Sequence, residues 1–166
     1  MMPNLPGKRV SESAVNDHVY RVFPNDLNSN STVFGGLVMS TIDRISSVVA
    51  ERHAGNLCVT ALVDSLHFIA PARKGDILIF KAAVNRAWRT SMEIGAKVLS
   101  ENPHTGEQKS IVSAYLTFVA VDANQTPIEV PPLIPETEIE KRRYEEAELR
   151  RQRRRSEAEQ RKLNRK

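Results

Sequence analysis

The chain changes its hydrophobic period after one long apolar segment. Residues 35–53 carry apolar side chains over roughly 220° of a helical wheel, which predicts a mostly enclosed α-helix. A period of two predicts five strands, at residues 17–23, 58–69, 76–88, 91–100 and 110–121. The last four are joined by short loops, so they should pair antiparallel. The pattern therefore predicts an α+β fold in which a curved antiparallel sheet wraps around one central helix. The open edges of such a sheet predict a dimer that extends it.

The length and composition are consistent with one globular domain. Of the 166 residues, 40% are hydrophobic, and the one cysteine, Cys58, excludes a disulfide within the chain. We expect residues 1–14 to be a flexible N-terminus, residues 15–130 to form the domain, and residues 131–166 to form a proline-containing linker and a charged helix. No segment is apolar over the length of a signal peptide core or a membrane span, so a soluble, cytoplasmic protein is expected.

The net charge of +4 lies entirely in the C-terminal segment. Residues 136–166 contain 12 Lys/Arg and 8 Asp/Glu, whereas residues 1–135 contain 12 of each. Strong helix formers and sparse apolar residues predict a solvated helix of which at most the first turns pack on the domain. Arg150–Arg155 can be interpreted as a nucleic-acid or anionic-membrane patch, or as part of a soluble charged helix. Interleaved glutamates and the lack of aromatic residues favour the soluble helix, so neither nucleic acid nor membrane is an expected partner.

One carboxylate stands at the margin of the apolar arc of the central helix. Asp43 lies on one side of the helix with Gly36, Ser40 and Ser47, and this polar stripe begins near the helix start. The first N–H groups of a helix lack internal partners, so the start at Gly35 and Gly36 can stabilise an oxyanion.

Two interpretations of Asp43 are open from the pattern. A partly desolvated carboxylate two turns from that helix start can act as a general base or a nucleophile toward a carbonyl polarised there. Alternatively, Asp43 pairs with Arg44 or Arg52, or hydrogen-bonds a neighbouring strand. No set of His and carboxylate residues shows metal-ligand spacing, so no metal site is predicted.

Several motifs resemble one known family. The segments "PNDLNSNSTVFGGLVMSTID", "HFIAPARKGD", "NRAWRTSMEIGAKVLSE" and "AYLTFVAVD" are similar in order and spacing to the hotdog-fold acyl-CoA thioesterases, which include bacterial and cytosolic acyl-CoA hydrolases. The resemblance covers roughly residues 15–150. It implies a hotdog fold, which is the strand, helix, four-strand order predicted above.

The resemblance also implies roles for individual residues. Asn28 of one protomer would act with Asp43 of the other, Asn28 orienting water or the thioester carbonyl and Asp43 activating water or attacking directly. Gly36, with Gly35, would supply the N–H that polarises the thioester. Many relatives carry glycine at the position of Ser31, so this chain departs from the family there.

A second set of residues is assigned to coenzyme A by the same resemblance. Arg89, Thr90 and Ser91 match a family region near bound CoA, where a guanidinium suits phosphate and hydroxyls suit the pantetheine amides.

The resemblance therefore implies an acyl-CoA thioesterase that releases a free carboxylic acid and CoA. It implies no cofactor, with CoA entering only as part of the substrate, and a homodimer, three of which form a hexamer. The alternative is a non-catalytic acyl-CoA-binding hotdog protein that acts through a regulatory or nucleic-acid-contacting basic tail. The sequence leaves the preferred acyl chain length undetermined.

Overall fold

The computed structural model describes residues 5–164. The parts of the predicted flexible N-terminus and charged tail at residues 1–4 and 165–166 lie outside the described residues. Two α-helices and seven strands follow one another within residues 5–164: β1 (Lys8–Arg9), β2 (Val15–Arg21), α1 (Gly35–Ala54), β3 (Cys58–Phe68), β4 (Ile77–Ala87), β5 (Ser91–Glu101), β6 (Gln108–Ala120), β7 (Leu133–Ile134) and α2 (Glu138–Leu163).

Five strands form one antiparallel sheet in the order β2-β4-β5-β6-β3. The predicted central helix and strands are confirmed, with each end within two residues of the prediction. The sheet forms because β3 to β6 are long, alternating segments joined by short turns, which leaves antiparallel neighbours as the natural partners. Helix α1 packs against one face of the sheet.

The core lies between α1 and the sheet. From the helix, Val38, Ile42 and Val49 are almost fully buried, and Phe80 and Phe118 meet them from the sheet. The apolar positions of α1 recur every three or four residues and those of the strands every second residue, so both patterns direct their side chains to this layer. This packing determines the orientation of α1 relative to the strands, and so the positions of the polar side chains on both.

The N-terminal segment and the linker are built into the fold, contrary to the prediction of flexibility for residues 5–14. Strand β1 pairs in parallel with β7 of the linker, and Val10 and Leu133 join the core. Nε2 of the buried His53 donates to the carbonyl oxygen of Pro131 at 2.8 Å. The two short segments thus become ordered because they pair with each other over the end of α1 and contribute apolar side chains to the core.

The prediction that at most the first turns of the C-terminal helix pack on the domain is wrong. Helix α2 crosses the outer face of the sheet, and Ala147 is fully buried there. Further along the helix, Arg150 binds Glu93 of β5, and Arg154 binds Asp64 of β3. The apolar pattern missed this contact because it is made mainly by charged groups. Neither described helix is long and apolar enough to cross a membrane.

Strand β3 leaves one edge of the sheet open, and apolar side chains cluster around it. Eight of them on β3 and adjoining parts of the chain are between 41% and 59% exposed: Met39, Val48, Leu57, Val59, Leu62, Val63, Phe68 and Ile69. Met39 and Val48 belong to α1, so the helix is less enclosed within one chain than its apolar arc predicts. An unpaired edge beside exposed apolar groups is characteristic of an interaction surface.

Candidate active site

Asn28 lies in a tight turn immediately before α1. Its backbone N–H donates to the carbonyl of Thr32 at 2.8 Å, and the N–H of Ser31 donates back to the carbonyl of Asn28 at 3.0 Å. The Asn28 side-chain Oδ1 accepts the backbone N–H groups of Asn30 at 2.9 Å and Thr32 at 3.2 Å. Asparagine favours such turns because its side chain can satisfy the backbone two residues on.

Ser31 closes this turn in a left-handed conformation, with φ of 58°. Glycine adopts that region without strain, whereas a residue with a Cβ pays a steric cost. The departure from the family's glycine therefore leaves a turn in place, now closed by a strained serine.

Helix α1 begins at Gly35, with Phe34 as its N-cap and no side-chain cap bond. The N–H groups of Gly35 and Gly36 fall in the first turn, where no internal carbonyl is available. A Cβ at Gly35 would lie 3.1 Å from the Phe68 ring, and one at Gly36 would overlap the ring of Phe34. Both rings are more than half exposed and lie against the helix start, so glycine at these two positions makes room for Phe34 and Phe68 there.

Asn28 and Gly35 line a common cavity of about 380 Å³. Its remaining walls are mostly apolar and come from the start of α1, the end of β3, the loop after it and β6: Thr32, Val33, Val38, Phe68, Ile69, Ala70, Pro71, Ala72, Ile111 and Val112. A largely apolar cleft with a few polar groups at one side is the usual character of a small-molecule site.

Asp43 is half-buried on α1 and hydrogen-bonds the neighbouring strand. The Thr60 hydroxyl of β3 donates to its Oδ1 at 2.7 Å. This is the strand contact that the second interpretation of Asp43 allowed, and within residues 5–164 neither Arg44 nor Arg52 forms an ion pair with it. The bond fixes the carboxylate without neutralising it, so it is compatible with a chemical role as well.

The other members of the polar stripe on α1 bond within the helix. The Ser40 hydroxyl donates to the carbonyl of Leu37, and the Ser47 hydroxyl donates to that of Arg44. Asp43 is thus the one member of this stripe whose side chain reaches another element in the described part of the chain.

Arg89, Thr90 and Ser91 occupy the turn between β4 and β5 and the first residue of β5. Strand register puts Ser91 level with Val119 of β6, and Val119 level with Val59 of β3, next to Thr60. The turn therefore lies at the same end of the sheet as the Asp43–Thr60 pair, two strands away, which is roughly 10 Å.

The predicted residues thus form two groups within one chain. Asn28, Gly35 and Gly36 lie at the start of α1, beside Phe68 at the end of β3. Asp43 lies eight residues along the helix, about 12 Å of rise, beside the start of β3. Sequence reasoning missed Thr60, although a hydroxyl at a helix-facing strand position, two residues after Cys58, was a usable signal. Among the described residues, no cluster of three or more His, Cys, Asp or Glu side chains is arranged to hold a metal ion.

Comparisons with known proteins identify the family. A sequence model described as the thioesterase superfamily matches residues 30–107. The chain is 43% identical over 120 residues to the uncharacterized acyl-CoA thioester hydrolase YkhA of Bacillus subtilis, covering 72% of this chain and 70% of that protein. The chain belongs to the hotdog-fold thioesterase superfamily. The prediction of a hotdog thioesterase, made from its motifs, is confirmed.

Solved structures of hotdog thioesterases agree with this fold along nearly the whole chain. An acyl-CoA hydrolase of Staphylococcus aureus, in complex with butyryl coenzyme A, coenzyme A and coenzyme A disulfide, matches with a TM-score of 0.88 and 37% identity over 96% of both chains. An apo-hexameric acyl-CoA thioesterase matches with a TM-score of 0.90 and 39% identity, over 93% of this chain and 98% of that one. The S. aureus enzyme has also been solved as its Asn28Ala, Asp43Ala and Thr60Ala variants.

Proposed function

We propose that this thioesterase-superfamily protein hydrolyses acyl-CoA to a free carboxylic acid and CoA, with Asn28 and Asp43 acting in one site. The observation that carries the proposal is the placement of two complementary half-sites beside the open edge of β3. One contains an amide and a helix start next to an apolar cavity, and the other contains a hydroxyl-bonded carboxylate. The S. aureus hydrolase, solved with alanine variants of the same residue types and numbers, supports the choice of residues.

Pairing β3 with β3 of a second copy would bring the half-sites together. In an antiparallel pair, the start of one strand lies beside the end of the other. Thr60 and Asp43 of one protomer would then lie near Phe68, Gly35 and Asn28 of the other. The pairing would also cover the exposed apolar groups of β3 and α1. We therefore propose a homodimer through β3, and by analogy with the hexameric thioesterase, further assembly of dimers into a hexamer.

The chemistry follows from the charge that develops during thioester hydrolysis. As water or a carboxylate adds to the carbonyl carbon, negative charge builds on the carbonyl oxygen, which the N–H groups of Gly35 and Gly36 would stabilise. Oδ1 of Asp43 is held by Thr60, which leaves Oδ2 to take a proton from water or to attack the carbon itself. Collapse of the tetrahedral intermediate expels the CoA thiolate. Attack by water gives the free acid directly, whereas attack by Asp43 gives an acyl anhydride on Asp43 that a water molecule then hydrolyses to the free acid. Arg89, Thr90 and Ser91 are proposed to bind CoA, and the reaction as written needs no further cofactor.

The alternative function is acyl-CoA binding without hydrolysis, with the basic tail acting on a partner. The engagement of Arg150 and Arg154 by carboxylates of the sheet removes two cations from the proposed basic patch, which weakens this alternative. A location in the cytoplasm stays a prediction.

Thiol release from acyl-CoAs of graded chain length, measured with purified protein, tests the function. Wild type should turn over at least one of them, and Asp43→Asn and Asn28→Ala should each reduce kcat by at least about a hundredfold. Mixing the two inactive variants tests the shared site. A mixed dimer contains one intact pairing of Asn28 with Asp43, so activity should partly return. Binding of acyl-CoA by wild type without turnover would exclude the enzyme.

A further inference from the structure

The orientation of the Asn28 side chain can be assigned from its neighbours. An N–H group can only donate, and two backbone N–H groups, of Asn30 and Thr32, point to the same side-chain atom of Asn28. That atom must therefore be the carbonyl oxygen Oδ1, which identifies the other terminal atom as the nitrogen Nδ2. The acceptor end of Asn28 is thus already occupied by the turn.

The nitrogen end has one partner in the turn. Nδ2 donates to the Thr32 hydroxyl oxygen at 3.0 Å, and the same hydroxyl lies 3.2 Å from Oδ1, so Thr32 faces both ends of the amide. An amide NH₂ group carries two hydrogens, so this bond uses one and leaves the other. Asn28 lines the cavity next to Gly35, so the remaining N–H is the polar group that the side chain can offer there.

Thr32 is held firmly enough to serve as a reference point. Its carbonyl accepts the N–H of Asn28 at 2.8 Å, and its backbone forms an antiparallel bridge to Arg73. The terminal torsion of an asparagine is otherwise broad and roughly two-fold. The two backbone bonds to Oδ1 hold one end of the amide, and the hydroxyl of Thr32 holds the nitrogen end, so together they limit how far the amide plane can rotate.

We propose that Thr32 is a positioning residue that aims one N–H of Asn28 at the substrate, so that Asn28 acts as a hydrogen-bond donor. This inference rests on the proposed hydrolysis of acyl-CoA. A donor suits the thioester carbonyl oxygen, whose negative charge grows in the transition state, and it would act together with the N–H groups of Gly35 and Gly36. Because Thr32 acts through Asn28, its loss should affect kcat more than KM.

The test uses the acyl-CoA that wild type turns over fastest. Thr32→Val removes the hydroxyl and keeps the shape, and it should lower kcat by about tenfold with KM changed by less than about twofold. Thr32→Ser keeps the hydroxyl and should retain a kcat close to that of wild type. Thr105→Val is the matched control, because the Thr105 hydroxyl, in the loop between β5 and β6, also accepts an N–H hydrogen bond, in this case from the backbone of Glu107, and no effect is expected.

Asn28→Asp tests the donor role without depending on Thr32. The aspartate can keep the two bonds from Asn30 and Thr32 and can accept from the Thr32 hydroxyl, but it has no N–H. It should fold with a Tm near that of wild type and lose most of its turnover. Normal kcat in Thr32→Val, equal losses in Thr32→Val and Thr32→Ser, or an active Asn28→Asp would each overturn the inference while wild type remains active. An inactive wild type would instead refute the proposed function, and the inference with it.

Discussion

Arg150 of α2 and Glu93 of β5 form a two-pronged ion pair between the C-terminal helix and the sheet. The guanidinium donates from Nη2 to Oε1 at 2.7 Å and from Nε to Oε2 at 3.1 Å. Glu93 is completely buried, and Asn85 also donates to its Oε1, at 3.0 Å. A Cβ at Gly95 would lie 2.6 Å from the amide nitrogen of Asn85, so glycine makes room for this contact.

The network continues toward the edge strand. Arg154 binds Asp64 of β3 at 3.1 Å and lies 3.7 Å from Glu93, and Arg150 stacks on the Tyr115 ring. Burial by itself would lower the pKa of Arg150, but the hydrogen bonds and charge of Glu93 outweigh it and raise that pKa. Helix α2 is therefore attached to the sheet by buried ion pairs in which each charge compensates the other.

Arg150→Met should destabilise the protein by about 3 kcal/mol, because it leaves the Glu93 carboxylate buried with a weaker partner. Arg154 is close enough to recover part of the loss, which puts the expected cost at the lower end of the range for broken buried pairs. Urea unfolding followed by circular dichroism measures the difference.

Arg153→Met is the matched control for Arg150→Met. Arg153 is in the same helix and pairs with Glu157, but the two side chains are 64% and 51% exposed. Exposed pairs contribute roughly 1 kcal/mol or less. Equal losses in the two variants would contradict the assignment of a buried ionic attachment.

Thr60→Val should lower kcat by about tenfold or more, because a hydrogen bond to a charged group holds the Asp43 carboxylate in place. Thr60→Ser keeps the hydroxyl and should retain most of the activity. Steady-state thiol-release kinetics with both variants measures this. A Thr60→Val enzyme with normal kcat would show that Asp43 needs no support from β3.

Ser31→Gly should stabilise the protein by about 1 kcal/mol, because Ser31 has a φ of 58°, where glycine is unstrained. The same change at Ser29, whose φ is not positive, should instead be neutral or slightly destabilising. Thermal unfolding of both variants provides the comparison. A lower Tm for Ser31→Gly than for wild type would mean that the Ser31 side chain makes a compensating contact.

The stability of the protein should fall as the pH drops below about 6.5 because of His53. Burial lowers the pKa of His53 from its ordinary 6.5, and the hydrogen bond to the Pro131 carbonyl opposes this only in part. His53 therefore becomes protonated near pH 6.5 in the unfolded chain, but only at a lower pH in the folded chain. The loss begins near the unfolded pKa and levels off below the folded one, with a slope of at most about 1.4 kcal/mol per pH unit.

His53→Gln should flatten this part of the stability curve, whatever its effect on the absolute stability. Unfolding free energies between pH 5 and 8 measure the slope, and His104→Gln in the exposed loop between β5 and β6 serves as the control. An unchanged slope in His53→Gln would assign the acid sensitivity to other groups.

The sequence by itself determined the central helix and the five sheet strands, and its resemblance to the thioesterases proposed Asn28 and Asp43 as a pair. Apolar periodicity specifies which face of α1 and of each strand is buried, and short loops leave little freedom in how consecutive strands pair. The turn at Asn28 is likewise local, because its hydrogen bonds join residues two to four positions apart.

Only the tertiary structure decided which distant polar groups meet. Thr60 joins Asp43 across 17 positions, Arg150 joins Glu93 across 57, and the linker folds over His53 across 78. The alternating pattern of β5 predicts that Glu93 faces solvent, and only the packing of α2 buries it. Periodicity records the preference of a side chain for water or for the core. It carries no information about which charged or hydroxyl group from another element will satisfy a side chain once that element has packed.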